Sequence, residues 1–179
     1  MKILSGIYKG IKIDTTKNVS YRPTKSRVRK SIFDVISPFG FSSVLDLFSG
    51  TGILGFESIS RGASAITFVE KDAKSISLLH KNREKFEGVH INIIKNKVEL
   101  FLKNTNDSFD LIFADPPYDK IDYDWLFNSC IKKLSKNGKL VVEMKKNNFT
   151  YDNCIEKYTV TLKFFYITNH ETHSLSWYI

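Results

Sequence analysis

With 179 residues, 42% of them hydrophobic, the chain can build one domain with a sizeable core but not two ordinary ones. Lys and Arg number 27 against 19 acids, a formal net charge of +8, which permits a polyanionic partner but is equally what a lysine-rich solvated surface gives. Two cysteines in separate segments, Cys130 and Cys154, offer neither a disulfide framework nor a zinc site, and no apolar run approaches a signal peptide or a membrane span. A cytoplasmic protein is expected. His80, His90, His170 and His173 are scattered without ligand spacing, so no metal is expected either.

In chain order, two short apolar runs around Gly6 and Gly10 predict a hairpin within residues 1–21, edged by Lys2, Lys9 and Lys12. Arg22-Pro23-Thr24 leads into a predicted helix over 25–36, with Thr24 as its N-cap and Val28, Ile32, Val35 and Ile36 on one face. Arg27, Arg29 and Lys30 fall elsewhere and are expected to form an exposed basic side, continuous with the hairpin lysines.

From residue 44 the chain alternates strand and helix. Strands are predicted at 44–48, 65–69, 90–94, 111–114 and 139–144, and helices at 53–60, 73–86, 98–102 and 123–134, the last closed by Lys136-Asn137-Gly138 as a C-cap. The tail differs, with β-rich runs at 158–168 and 172–179 and no helix between them, which predicts an antiparallel pair at the sheet edge. The expected architecture is α/β, a mostly parallel seven-stranded sheet ending in an antiparallel hairpin, built as a single domain over residues 1–179 with the N-terminal hairpin and helix as an extension.

The turn after the first strand reads Asp46-Leu47-Phe48-Ser49-Gly50-Thr51-Gly52-Ile53-Leu54-Gly55, and Glu70 ends the second strand 20 residues after Gly50. This is dinucleotide-fingerprint spacing, in which glycines admit a ligand close to the backbone and the acid can accept ribose hydroxyls. Asp46 discriminates between cofactors. A carboxylate inside the strand end repels a pyrophosphate and attracts the amino group and sulfonium of S-adenosylmethionine, so the methyl donor is preferred over NAD. Phe48, Gly50, Gly52, Lys71, Asn96 and Val98 are the other candidate cofactor residues.

The fourth strand runs into Asp115-Pro116-Pro117-Tyr118. Ligands of open α/β sheets bind at the carboxyl ends of strands, and two prolines fix φ and withhold two N–H donors, so the segment can neither extend the ladder nor enter a helix. An acid, a stiff backbone and an aromatic ring at that place suit a planar, amino-bearing base.

Taken together, Val44 to Gly52, Phe68-Val69-Glu70-Lys71-Asp72, Asp115-Pro116-Pro117-Tyr118 and Arg22-Pro23-Thr24 with Arg27-Val28-Arg29 resemble the bacterial 16S ribosomal RNA guanine-N2 methyltransferases of the D type. The resemblance implies a Rossmann-like class I methyltransferase fold and one guanine of 16S RNA, in a small-subunit particle or assembly intermediate, as the substrate of a monomer. It also implies that Asp115 and the Pro116 carbonyl each accept an N–H of the amine and turn its lone pair toward the methyl group, while Tyr118 stacks on the extruded base. Pro117, Arg22, Thr24, Arg27 and Arg29 are then the candidate RNA contacts.

Two departures stand out. Related enzymes often carry an acid after the third strand to read adenine, where this chain has Lys95-Asn96-Lys97, so the amide oxygen of Asn96 is the expected substitute. His170-Glu171-Thr172 stands where a glycine is usual. The Asp-Pro-Pro-Tyr motif also looks like that of adenine-N6 methyltransferases acting on DNA or RNA, and a cofactor-binding ribosome-assembly factor with dispensable catalysis is a third reading.

Overall fold

The computed structural model describes residues 1–15, 26–117, 121–144 and 162–166. Helix α1 (Ser26–Val35) is followed by alternating strands and helices, β1 (Ser43–Leu47), α2 (Ile53–Ser60), β2 (Ala65–Glu70), α3 (Ala73–Arg83), β3 (His90–Lys95), α4 (Val98–Asn104), β4 (Phe109–Ala114), α5 (Tyr123–Ile131) and β5 (Leu134–Met144), and then by β6 (Leu162–Tyr166). Among the described residues the strands form one sheet in the order β3-β2-β1-β4-β5-β6, every neighbouring pair parallel. Parallel pairing requires crossovers, and the helices that supply them cover both faces, so the central strands are apolar along their length.

Strand parity sorts the core into two layers. Val44, Ile66, Phe68, Leu111, Phe113 and Val141 face a cluster with Phe33 of α1, Phe56 and Ile59 of α2 and Leu79 of α3. Leu45, Leu47, Val69, Ile112, Ala114, Leu140 and Val142 face the other side, with Phe101 of α4 and Leu126 and Phe127 of α5. Asp46 shares the parity of Val44 and therefore points to the α2 side, and the residues one step beyond Ala114 and Val142, Asp115 and Glu143, share it too.

The N-terminal segment is a hairpin as expected, closed by an antiparallel Lys2–Lys12 bridge and by Ile3 N–H donating to the Ile11 carbonyl at 3.0 Å. Rather than standing apart, it covers α2. The buried Glu57 carboxylate accepts from Leu4 N–H at 2.8 Å and Ser5 N–H at 3.1 Å, and Ile7 N–H donates to the Ser60 carbonyl at 2.8 Å. Gly6, at φ 86°, crosses so close that a Cβ there would lie 1.7 Å from that carbonyl oxygen. With sheet on one side and hairpin on the other, all eight residues of α2 are buried, which is why its sequence lacks a polar face.

Two expectations are corrected. Arg29 is buried, 1% exposed, because its face of α1 turns to the hairpin, where the guanidinium donates to the Lys2 carbonyl at 2.9 Å and to Met1 Sδ at 3.5 Å. Arg27 and Lys30 are exposed, as expected, and Lys30 pairs with Asp34. Second, α5 stops at Ile131, and Lys136-Asn137-Gly138 belongs to β5. Asn137 has φ 68° and the pairing with β4 shifts register between Phe109 and Leu111, so this turn chemistry makes a bulge, not a helix cap. The first of the two β-rich tail runs supplies β6, which pairs in parallel with β5, while the second run at 172–179, and with it the expected antiparallel pair and seventh strand, lies outside the described residues.

Candidate active site

The first strand delivers Asp46 to a turn with unusual backbone. Phe48, Gly50 and Gly52 all have positive φ, at 56°, 53° and 74°. For an aromatic residue such as Phe48 this conformation costs on the order of 1–3 kcal/mol, strain of the kind that collects at functional sites. A side chain at Gly52 would be strained by its φ and would crowd the core, a Cβ lying 2.5 Å from Leu79 Cδ2. The turn brings Gly55 N–H to 3.0 Å from Asp46 Oδ2. Asp46 is 3% exposed, and burial pushes its carboxyl up to about 8, the Gly55 hydrogen bond opposing and the nearby Glu70 reinforcing the rise.

Glu70 is oriented by backbone alone. Its Oε2 accepts from Gly50 N–H at 2.9 Å, while Oε1 accepts from Lys71 N–H at 2.7 Å and Asp72 N–H at 2.9 Å. Three of the roughly four acceptor positions of a carboxylate are thereby used, all from the protein side, leaving room for a ligand hydroxyl. Asn96 is carried alongside: its N–H donates to the Glu70 carbonyl at 3.0 Å, and its side-chain oxygen accepts from Lys97 N–H at 2.8 Å with one lone pair left. Lys71 is exposed, and Val98 is buried in the second core layer.

At the end of β4, Asp115 is half-buried, Pro116 buried and Pro117 exposed. The carboxyl of Asp115 is raised well above the ordinary carboxylate range, first by burial, then by the like charges of Glu143 and Asp46 and by a hydrogen bond with Glu143. Asp115 is therefore not the ordinary carboxylate that the motif alone suggests. The fold thus brings Asp46, Gly50, Gly52, Glu70 and Asn96 to the carboxyl ends of β1 to β3, with Asp115 and Pro116 on β4 next to β1. Arg22, Thr24 and Tyr118 lie outside the described residues. Arg29 is not brought to this surface, being held under the hairpin.

Sequence reading passed over Glu143. The signal was present, an acid directly after the apolar run of Leu140, Val141 and Val142, where Asp115 follows Leu111 to Ala114. Its meaning required the register that sets the two strands side by side.

A parallel sheet with a glycine turn after its first strand, an acid ending its second and Asp-Pro-Pro ending its fourth defines an α/β methyltransferase. Solved structures carry the same fold. A hypothetical protein of Thermus thermophilus superposes with TM-score 0.73 at 28% identity, over 84% of this chain and 90% of that one. An Escherichia coli protein provisionally assigned as a methyltransferase gives TM-score 0.63 at 28% identity, over 77% and 73%. The ribosomal RNA small subunit methyltransferase D of Buchnera aphidicola (subsp. Acyrthosiphon pisum) is 36% identical over 151 residues, 83% of this chain and 75% of that protein. The chain belongs to the family described as conserved hypothetical protein 95, whose model matches residues 1–164.

Proposed function

We propose that this chain is a ribosomal RNA methyltransferase that transfers a methyl group from S-adenosylmethionine to the exocyclic N2 amine of a guanine in 16S RNA, in a small-subunit particle or assembly intermediate. The observation that carries this reading is Asp115-Pro116 at the end of β4, next to the buried Asp46 of β1, in a chain so similar to a small-subunit methyltransferase. S-adenosylmethionine supplies an electrophilic methyl group on a sulfonium. The residues fit it: Asp46 is a desolvated carboxyl that only a cation makes favourable as a carboxylate, and Glu70 has backbone-fixed oxygens for a ribose hydroxyl. Residues 1–179 act as one cytoplasmic, monomeric domain, and no helix among the described residues is long and apolar enough to cross a membrane.

The amine of guanine is a weak nucleophile because its lone pair is delocalised into the ring. Asp115 and the Pro116 carbonyl each accept one of its N–H groups, which localises the lone pair and aims it. Both acceptors gain strength as positive charge develops on nitrogen, so they favour the transition state over the bound substrate. Pro117 and Tyr118 flank the extruded base, Asn96 reads the cofactor's adenine, and Arg22, Thr24 and Arg27 contact RNA phosphates. Incubation with methyl-labelled cofactor and naked 16S RNA, unmodified small-subunit particles or DNA, followed by base mapping, tests the reading. Label on N2 of one guanine is expected, and label confined to DNA contradicts it.

A further inference from the structure

Glu143 has no part in the chemistry described so far, yet its position is specific. The parallel register pairs Phe113 with Val141 and Ala114 with Val142, so the next residues, Asp115 just past β4 and Glu143 still within β5, come side by side on the same face. Glu143 acts on Asp115 as a like charge and through a side-chain hydrogen bond, and two carboxyl groups so placed can hydrogen-bond only by sharing a proton. The charged group facing the pair from β1 is Asp46, a third acid. Asp115 and Glu143 are both half-buried, so the pair sits at the boundary between the site and solvent.

We propose, building on the amine-methylation reading, that Glu143 is the positioning partner of Asp115: the two carboxyl groups hold one proton between them, fix the oxygen that faces the amine, and conduct to solvent the proton the amine sheds. Atoms and charges balance without another reactant. The nitrogen–carbon bond forms as the sulfur–carbon bond breaks, and the sulfur keeps that bonding pair and becomes a neutral thioether. The positive charge moves to the amine nitrogen, which releases one N–H proton to the free oxygen of Asp115. The proton already shared passes to Glu143, and Glu143 loses one to water, restoring the pair. A lone Asp115 would orient the amine equally well but would have no second carboxyl to take its proton.

Two like groups that share a proton titrate in two separated steps that belong to the pair. Carboxyl-carbon NMR titration of the protein is therefore expected to show Asp115 titrating in coupled steps, the later one above the ordinary carboxylate range. In Glu143→Gln the pair becomes a single carboxyl, and Asp115 should titrate once, at lower pH. The same substitution is expected to lower kcat on small-subunit particles at least about tenfold, with S-adenosylhomocysteine affinity within about twofold of the parent, the scale of a lost proton-transfer partner. Glu143→Asp should restore part of the rate.

An unchanged Asp115 titration in Glu143→Gln overturns the proposal. An unchanged kcat in that variant, with Asp115→Asn inactive, also overturns it and leaves the amine-gripping reading standing. Near-parental turnover by Asp115→Asn removes both. Retained S-adenosylhomocysteine binding identifies folded protein in each case.

Discussion

The α2 side of the sheet contains two groups of buried charge that are treated in opposite ways. Beneath the hairpin, Glu57 is wholly buried, yet two backbone N–H groups and the Arg61 guanidinium, at 3.1 Å, satisfy it, and Arg29 donates to a backbone carbonyl. At the carboxyl ends of β1, β4 and β5, Asp46, Asp115 and Glu143 are gathered, and Asp46 and Asp115 are raised first by burial and then by like charge, that of Glu70 on Asp46 and those of Glu143 and Asp46 on Asp115. Compensated charge fastens one piece of chain to another. Uncompensated charge is a standing demand for a cation and a proton donor, which is what a methyl donor and an amine bring.

The contrast is broken most severely at Glu57. Glu57→Ala leaves two N–H groups and an arginine facing a void, and should cost about 3–5 kcal/mol of stability, measured by denaturant unfolding, with cofactor affinity of the folded protein unchanged. Asp115→Ala should do the reverse, lowering single-turnover methyl transfer on the order of 10²–10³-fold with little loss of stability or S-adenosylhomocysteine binding.

Asp46→Asn separates the two roles of one group. Losing the charge should weaken cofactor binding by about 2–3 kcal/mol, read by calorimetry. Since folding raises this acid from the usual range to about 8, the folded state holds the proton more tightly, and the group subtracts stability progressively as pH rises through that window. The ligand-free Asn variant should therefore melt higher than the parent at about pH 8 to 9, and the gain should shrink toward about pH 5. The smallest effect belongs to the exposed helix face. Arg27→Ala should weaken RNA binding only a few-fold and reduce its salt dependence by about one phosphate contact, whereas Arg29→Ala should lower the melting temperature instead.

Much of this was legible in the chain. The apolar runs at 44–48, 65–69 and 111–114 marked three central parallel strands, and the Asp46, Gly50, Gly52 and Glu70 spacing marked the turn between them, because both depend on local pattern. What the sequence hid were long-range pairings. Arg29 sits at a helical position that looks solvent-facing until the hairpin folds over it, and Glu57 looks like a surface acid until two N–H groups from residues 4 and 5 reach it. Lys136-Asn137-Gly138 carries a genuine positive-φ signal, but a bulge and a helix cap ask for the same residues. Glu143 gained its meaning only from the register of β4 against β5.

The central claim, that the buried acid of β1 is held for the cofactor's cation, has a direct measurement. At about pH 7 the Asp46 carboxyl is expected to be protonated in the ligand-free protein, and a bound cation should drive that proton off. Calorimetric titration with S-adenosylhomocysteine in two buffers of different ionisation enthalpy counts the protons exchanged. Release of close to one proton per molecule bound, falling to none in Asp46→Asn, is expected. Binding without proton release at that pH, or release that persists in Asp46→Asn, would contradict it.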